Sequence, residues 1–204
     1  TINRIRAGHY GGLSFIDHQL GKVIHALKEK GELDNTIIVY SSDHGTHLGD
    51  HNLIHKGTPY ERSARVPFVV WWPGKVKPGV RQGFSSHVDM MPTFLDMAGV
   101  GPPQDIDGRS LLPLIREKDA SWRSFIHGEH APCWQYVTDG REKYIWNSVS
   151  GEEWLFNLVK DPQECHNLAS SPDAQETRDR WRRRLINLLA ERPEDQLVAD
   201  GDLV

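Results

Sequence analysis

The sequence has few cysteines, no long apolar run and no excess of positive charge. Its two cysteines, Cys133 and Cys165, lie far apart without the spacing of a metal site, so we expect structural thiols and leave open whether they pair. The longest apolar run, residues 66–72, is interrupted by Pro67 and falls short of the roughly 18 residues that a membrane span requires. The net charge of −4 gives no indication of nucleic-acid binding. We therefore expect neither a membrane span nor a nucleic-acid partner.

The sequence starts at Thr1 without an initiating methionine, and we expect no signal peptide at that position and no internal repeats. Its 204 residues suffice for one large domain or one and a half, and 38% hydrophobic with 25% charged residues is typical of a soluble protein. We expect a fragment whose natural start is missing. The compartment is therefore unknown, with a periplasmic or secreted location favoured for the complete protein.

Hydrophobic spacing in the first half predicts alternating helices and strands. Apolar residues recur at intervals of three and four over residues 10–30, which predicts a helix. The runs 36–41 and 66–72 are rich in Val, Ile and aromatic residues and predict buried strands. Further helices are expected over 88–98 and, briefly, 110–116. The face of helix 88–98 that we expect to be buried consists of Met91, Phe94, Leu95 and Ala98. This order of elements predicts an α/β fold.

The second half has a different pattern from about Lys118 onwards. Four short strands are predicted, over residues 125–129, 136–138, 144–146 and 154–158. Asp139-Gly140 between two of them indicates a hairpin, because this pair favours the tight turn of such a connection. A last helix is expected over residues 173–192, with Trp181, Leu185, Leu188 and Leu189 facing inward. We therefore predict two units, residues 1–117 and 118–204.

Polar residues that could hold an ion follow the first predicted strand directly. Asp43 and His44 stand where that strand ends, and in open α/β sheets ligands bind beyond the carboxyl ends of strands. A carboxylate oxygen suits a hard divalent cation such as Ca²⁺ or Mg²⁺. Lys56 adds a positive charge a short way along the same loop. The stretch therefore predicts a site for a cation and an anion.

Several motifs together make this stretch specific, although Asp-His-Gly alone would be a weak signal. They are Ser42-Asp43-His44-Gly45, Leu48-Gly49-Asp50-His51 with Lys56, Arg65-Val66-Pro67, Ser86-His87-Val88-Asp89, Asp107-Gly108-Arg109-Ser110 and Asp161-Pro162-Gln163-Glu164. In this combination the chain resembles the C-terminal half of the sulfatase family, in the alkaline-phosphatase-like superfamily. The nearest pattern is that of the choline-sulfatase and iduronate-sulfatase branch.

The resemblance implies both a fold and a set of site residues. The fold would be the C-terminal part of an α/β sandwich, with a small antiparallel sheet packed on a C-terminal helix. Asp43 and His44 would be ligands of Ca²⁺ (or Mg²⁺), Lys56 would contact a sulfate oxygen, and His51 would assist substrate binding. The implied activity is hydrolysis of a sulfate monoester, with a sulfated small molecule or glycan as substrate and a carbohydrate favoured.

The family's nucleophile has no counterpart in this chain. It is a formylglycine made from Cys or Ser within Cys/Ser-x-Pro/Ala-x-Arg, and neither Cys133 nor Cys165 lies in such a motif. The paired Asp-Asp that completes the family's metal site is also absent. No catalytic nucleophile is therefore assigned here. We expect the isolated chain to be inactive and its partner to be the N-terminal half of a sulfatase.

Three other interpretations stay open. One is a phosphate or phosphonate monoesterase of the same superfamily, which uses similar metal chemistry. Another is a non-catalytic zinc-binding module, because His44, His47, His51 and His55 recur at helical spacing and imidazole suits Zn²⁺, although glycines make a helix unfavourable there. The third is a purely structural remnant whose uncovered apolar face would cause association.

Overall fold

The protein begins with one long helix that makes few contacts. The computed structural model describes residues 1–101, 103–117, 120–130 and 133–204. Helix α1 spans Ile2–Glu29, so it begins well before residue 10, where we predicted its start. Gly8, Gly11 and Gly12 disfavour a helix in their propensity, but they do not interrupt this one. None of its residues is buried, and its apolar stripe, including Leu13 and Ile16, faces solvent.

The two predicted strands of the first half pair with each other. Strand β1 spans Ile38–Ser41 and β2 spans Phe68–Trp71, and they are antiparallel, with Ile38 opposite Trp71 and Ser41 opposite Phe68. The expectation that both strands are buried is wrong for this structure. Tyr40, Val69 and Trp71 are exposed because one face of this two-stranded sheet has nothing packed on it in the described part of the chain.

The predicted helix over residues 88–98 is a 3₁₀ turn, His87–Asp89, followed by α3, Met90–Met97. Its buried face was predicted wrongly. Pro92 and Thr93 are buried, whereas Met91, Phe94 and Ala98 are exposed and Leu95 is half-buried. The reason is a polar attachment, since the Thr93 hydroxyl donates to the Asp89 carbonyl at 2.5 Å and accepts from the backbone N–H of Leu111 at 2.8 Å.

The core of the first half lies around helix α4, Leu112–Arg116. Leu112, Leu114 and Ile115 are buried as predicted, and Leu114 and Ile115 pack with Leu111 against Phe68 and Val70 of β2. Between β1 and β2 lie a 3₁₀ turn, Asp50–Asn52, and the single-turn helix α2, Glu61–Ala64. A further 3₁₀ turn, Leu33–Asn35, connects α1 to β1.

The second half is a four-stranded antiparallel sheet covered by a helix, as the sequence predicted. The strands lie in the order β3-β4-β5-β6 and span Ile126–His130, Trp134–Thr138, Glu142–Asn147 and Glu153–Asn157. Helix α5 spans Gln175–Ala190 after a 3₁₀ turn at Pro172–Ala174. Its Trp181, Leu185 and Leu189 are buried against Val137, Tyr144 and Leu155 of the sheet, and Leu188 is half-buried.

The turn at the centre of this sheet was predicted from its residues, whereas a separate small hairpin after α5 was not. The β4–β5 hairpin turns at Asp139-Gly140 as predicted, with Gly140 at φ 73° and the Asp139 carboxylate accepting from the backbone of Arg141 and Glu142. The sequence did not reveal the small hairpin of β7, Val198–Ala199, and β8, Asp202–Leu203, which follows a 3₁₀ turn at Pro193–Asp195.

Two remaining predictions concern the boundary between the two units and the state of the cysteines. Lys118, the predicted boundary of the second unit, lies outside the described residues, so the division at 117/118 stays a prediction. Both cysteines, Cys133 and Cys165, are free thiols. Among the described residues, no helix combines the length and the apolar character needed to cross a membrane.

Candidate active-site half

Asp43 lies just beyond the last residue of β1, where its side chain is open to solvent. The carboxylate is 83% exposed and accepts a hydrogen bond from the backbone N–H of His44 at 3.0 Å. Desolvation raises the pKa of Asp43, but this hydrogen bond, the nearby His44 ring and the Ser42 hydroxyl together outweigh it, so the pKa lies below its usual value. Asp43 is thus an ionised, accessible carboxylate at the end of a strand.

The ring of His44 is oriented so that one nitrogen is available beside that carboxylate. Its Nδ1 lies 2.7 Å from the carbonyl oxygen of Gly45, to which it donates, because a carbonyl can only accept. Its Nε2 lies 3.4 Å from the Asp43 carboxylate oxygen Oδ2. A backbone carbonyl that holds one ring nitrogen in this way fixes the tautomer in which the other nitrogen can bind a metal.

Ser63, a buried residue of α2, connects this turn to the loop that carries Lys56. Its backbone carbonyl accepts from the N–H of Gly45 at 2.8 Å, and its hydroxyl accepts from the N–H of Gly57 at 3.1 Å. Gly45 packs so closely on α2 that a Cβ there would overlap the carbonyl of Arg62. The Asp43–His44 turn and the residue after Lys56 are therefore attached to the same helical turn.

Lys56 itself projects from the loop without a partner. Its side chain is exposed and makes no hydrogen bond or ion pair to any residue that the structure describes. A Cβ added to the next residue, Gly57, would lie 3.4 Å from Nε2 of His130 on β3. The loop thus lies next to the edge of the four-stranded sheet, with the Lys56 ammonium free to meet an anion.

His51 is packed against an aromatic ring. It stacks on Tyr60 with 4.0 Å between ring centroids and lies edge-on to His47 at 6.0 Å. Its backbone has φ 56° and ψ 22°, a left-handed conformation that is uncommon for a residue with a side chain. The role in substrate binding that the sequence suggested for His51 stays a prediction, while its packing on Tyr60 is a structural feature that the sequence did not show.

The loop from Thr46 to His55 is a closed turn and not a helix. The backbone N–H of His47 donates to His55, and that of Gly49 donates to Leu53, across its two arms. His47 is buried, with Nε2 at 2.7 Å from the Thr58 hydroxyl. The described residues contain no group of three or more potential metal ligands. The helical histidine face on which the zinc-module interpretation depended is therefore not formed.

His87 joins the site from the turn before α3. Its Nε2 donates to the carbonyl of Ser42 at 2.8 Å, while the helix start is capped by Asp89, which accepts from the backbone N–H of Ser86 at 2.8 Å. A recess of about 490 Å³ opens here, lined by Val39, Ser41, Ser42, Asp43, His87, Met90 and Phe94. The exposed apolar residues of α3 thus border the candidate site.

The least expected feature is a buried ionic cluster beneath α2. Lys143 of β5 is fully buried, and its Nζ lies 2.6 Å from Glu61 and 2.9 Å from Glu164. Burial raises the pKa of Glu164 above its usual value, although Lys143 acts in the opposite direction. A lysine directly before the apolar residues 144–146 was the one available signal, and it does not identify the partners.

Comparison with known proteins agrees with the motifs. A family model for sulfatases matches residues 2–100. An arylsulfatase of Clostridium perfringens is 42% identical over 201 residues, which cover 95% of this chain and 42% of that protein. The narrower assignment to the choline-sulfatase and iduronate-sulfatase branch stays a prediction.

Solved structures give the same result for the fold. A protein in complex with its substrate D-glucosamine-2-N,6-O-disulfate has a TM-score of 0.77 at 32% identity, covering 92% of this chain and 40% of its own. The phosphonate monoester hydrolase of Agrobacterium radiobacter has a TM-score of 0.78 at 29% identity, covering 91% and 41%. The chain spans about two fifths of the length of these relatives. The chain belongs to the sulfatase family of the alkaline-phosphatase-like superfamily.

Proposed function

We propose that this chain supplies the cation-binding and sulfate-binding residues of a sulfuric ester hydrolase. The observation that carries the proposal is the pair of donors at the end of β1. Asp43 presents an exposed carboxylate, and His44 presents Nε2 3.4 Å away while its other nitrogen is held by the Gly45 carbonyl. Adjacent, oriented and accessible donors of this kind are what a partial metal shell requires.

The donor set fits part of a Ca²⁺ or Mg²⁺ shell. Ca²⁺ takes about six to eight oxygen ligands and Mg²⁺ about six, so one carboxylate and one imidazole leave most positions to other groups. The bound cation would neutralise sulfate oxygens. Within this chain, Asp43 and His44 would hold it, and the hydrogen bond from the His44 N–H would keep the Asp43 carboxylate oriented.

Lys56 and His51 would act on the substrate side. The Lys56 ammonium has no partner among the described residues, so its charge is available to a sulfate oxygen. A fixed charge aimed at the group that gains negative charge contributes to catalysis when it is stronger in the transition state. His51, held against Tyr60, would limit how far the loop can move when substrate binds.

The nucleophile and the remaining ligands would come from an N-terminal half. In the family this half carries the formylglycine, and the described residues offer no equivalent. Three apolar surfaces support such a partner: the stripe of α1, the open face of β1–β2, and Met91 with Phe94 of α3. Exposed apolar patches of this kind mark sites of association. Phe94 of α3 lines the recess at the candidate site itself.

A sulfated carbohydrate is the substrate class that we favour. A similar structure was solved with D-glucosamine-2-N,6-O-disulfate, its substrate. The open recess beside Asp43 is consistent with a substrate that is held partly by another segment.

The test is an assay of sulfate-ester hydrolysis with three preparations. The purified 204-residue chain is measured with excess Ca²⁺ or Mg²⁺, then the chain together with the N-terminal half, then the same assembly with Asp43→Ala. We expect turnover of an aryl sulfate and of a 6-O-sulfated glucosamine only in the second preparation. Multiple turnovers by the lone chain would overturn the half-site proposal, and full turnover and metal content in the Asp43→Ala assembly would remove Asp43 from the site.

A second candidate activity is hydrolysis of phosphonate or phosphate monoesters. The observation in its favour is the likeness to a phosphonate monoester hydrolase at a TM-score of 0.78. The same assembly is therefore assayed with matched aryl esters of sulfate, phosphate and a phosphonate. A kcat/KM for the sulfate ester below that of the other two would favour this second activity.

A further inference from the structure

A lysine from the C-terminal sheet is buried directly beneath the loop that carries the candidate site. Lys143 has no exposed surface, and all three of its close polar partners lie outside its own strand. Its Nζ is 2.8 Å from the carbonyl oxygen of Pro59, 2.6 Å from the Glu61 carboxylate and 2.9 Å from the Glu164 carboxylate. Two of these partners, Pro59 and Glu61, belong to the segment that begins α2.

Glu164 completes the attachment from the other side. Its second carboxylate oxygen accepts from the backbone N–H of Glu61 at 2.6 Å. The first turn of α2 is therefore fixed both through a side chain and through its backbone. A buried ion pair is a poor device for stability alone, because apolar residues of similar volume are often as stable or more so. Its geometry restricts where α2 can lie.

The same short helix holds both parts of the candidate site. Ser63 accepts from the N–H of Gly45 with its carbonyl and from the N–H of Gly57 with its hydroxyl. Gly45 follows the two proposed cation ligands, and Gly57 follows the proposed sulfate-binding lysine. Contacts thus run without a break from Lys143 through Glu61 to Ser63, and from there to both loops.

We propose that Lys143 is a positioning residue that fixes α2 and thereby sets the distance between the Asp43–His44 turn and Lys56. The placement of the two loops does not depend on which reaction the site catalyses. The consequence for binding rests on the proposed function. A misplacement of about 1 Å in such a site can reduce the rate roughly a hundredfold.

The first experiment measures amide hydrogen exchange at Gly45 and Gly57 in the 204-residue chain. Lys143→Met keeps the length of the side chain and removes its charge. We expect exchange at both glycines to rise roughly tenfold or more, because hydrogen bonds to a charged group are lost at the base of α2. The matched control is Leu185→Ala, which lowers stability in the core of α5 and the sheet without touching α2. Loop amides that exchange by local opening should not respond to it.

Ser63→Ala tests the hydrogen bond to Gly57 separately from the one to Gly45. It can also be measured if Lys143→Met does not fold. It removes the hydroxyl and keeps the carbonyl, so exchange should rise at Gly57 and not at Gly45. Glu164→Gln, which keeps an acceptor and removes one charge, should raise exchange at both glycines by a smaller factor than Lys143→Met. Unchanged exchange at both glycines in folded Lys143→Met, or in Glu164→Gln where the former does not fold, would overturn the proposal. An equal rise in Leu185→Ala would do so too.

The functional arm uses the chain assembled with its N-terminal half. We expect Lys143→Met to lower kcat for an aryl sulfate roughly a hundredfold while Leu185→Ala retains wild-type turnover below its unfolding temperature. If the wild-type assembly hydrolyses no sulfate ester, the proposed function fails, and the exchange experiment still tests the positioning role. If the assembly is active and Lys143→Met keeps full kcat, the positioning role fails alone.

Discussion

Replacing Gly45 by alanine tests how closely the candidate site is packed on α2. Gly45 follows the two proposed cation ligands and donates its N–H to the carbonyl of Ser63 at 2.8 Å. An added Cβ would overlap the carbonyl oxygen of Arg62, at 3.0 Å from its carbon, and lie 3.4 Å from the carbonyl oxygen of Arg65. These are backbone atoms, so no side-chain rotation can relieve the overlap. Gly45 has no positive φ, which leaves space as the only difficulty.

The size of the effect follows from the distances. A carbon ordinarily approaches a carbonyl oxygen to about 3.3 Å, so the turn and α2 must separate by about 1 Å. Overpacking of this kind costs about 1–3 kcal/mol. Stretching the bond from Gly45 to Ser63 adds about 0.5–1.5 kcal/mol. We therefore expect Gly45→Ala to lower the free energy of unfolding by about 1.5–4.5 kcal/mol.

The assay is urea unfolding of the chain, with Gly21→Ala as the matched control. Gly21 lies within α1 and an added Cβ there meets nothing within 4 Å. The same substitution should raise stability by about 0.5–1 kcal/mol there, because glycine is the poorer helix former. The two variants should thus change the free energy of unfolding in opposite directions. If Gly45→Ala were as stable as the original chain, the close packing of this turn on α2 would be refuted.

Three further outcomes are expected. Lys56→Ala should lower turnover of the assembled enzyme far more than Lys56→Arg, with both folded; equal, full activity would exclude Lys56 from sulfate binding. Asp89→Ala should cost about 3–5 kcal/mol in urea unfolding, and Asp89→Asn less, because the buried carboxylate accepts from Arg123 at 2.6 Å and from two backbone N–H groups. Burial lowers the pKa of His127 below 6.5, while its hydrogen bond to Gln135 acts in the opposite direction. The unfolded chain then takes up the proton first, so stability should fall as pH drops below about 6.5, and less steeply in His127→Gln; an unchanged slope would contradict this.

Elements whose folding signals are local were predicted well. The β4–β5 hairpin follows from Asp139-Gly140 between two apolar runs, and α5 follows from its apolar spacing, because each signal is contained within the element itself. The hairpin of β7 and β8 escaped notice since each strand has only two residues. Helix α1 was predicted too short because the prediction depended on the apolar spacing of residues 10–30, whereas the helix begins at Ile2.

Burial was harder to predict than the elements themselves. Apolar spacing identifies which residues prefer to be covered, but it does not identify what covers them. In α3, the pattern favoured Met91 and Phe94, while the structure buries Thr93 through its bonds to Asp89 and Leu111. The tertiary fold determines those partners, so the spacing of apolar residues along the helix does not predict them.

In the candidate site, too, some features follow from consecutive residues and others from contacts between residues far apart in the sequence. Asp43 and His44 could be proposed as cation ligands from the sequence because the strand, the turn and these two residues are consecutive in the chain. Their placement relative to Lys56 depends on contacts of another kind, from Ser63 to both loops and from Lys143 to the base of α2. Lys143 lies directly before the apolar residues 144–146, where a sequence argument would place its ammonium in solvent. The C-terminal sheet therefore has a physical connection to the site that its own sequence pattern does not indicate.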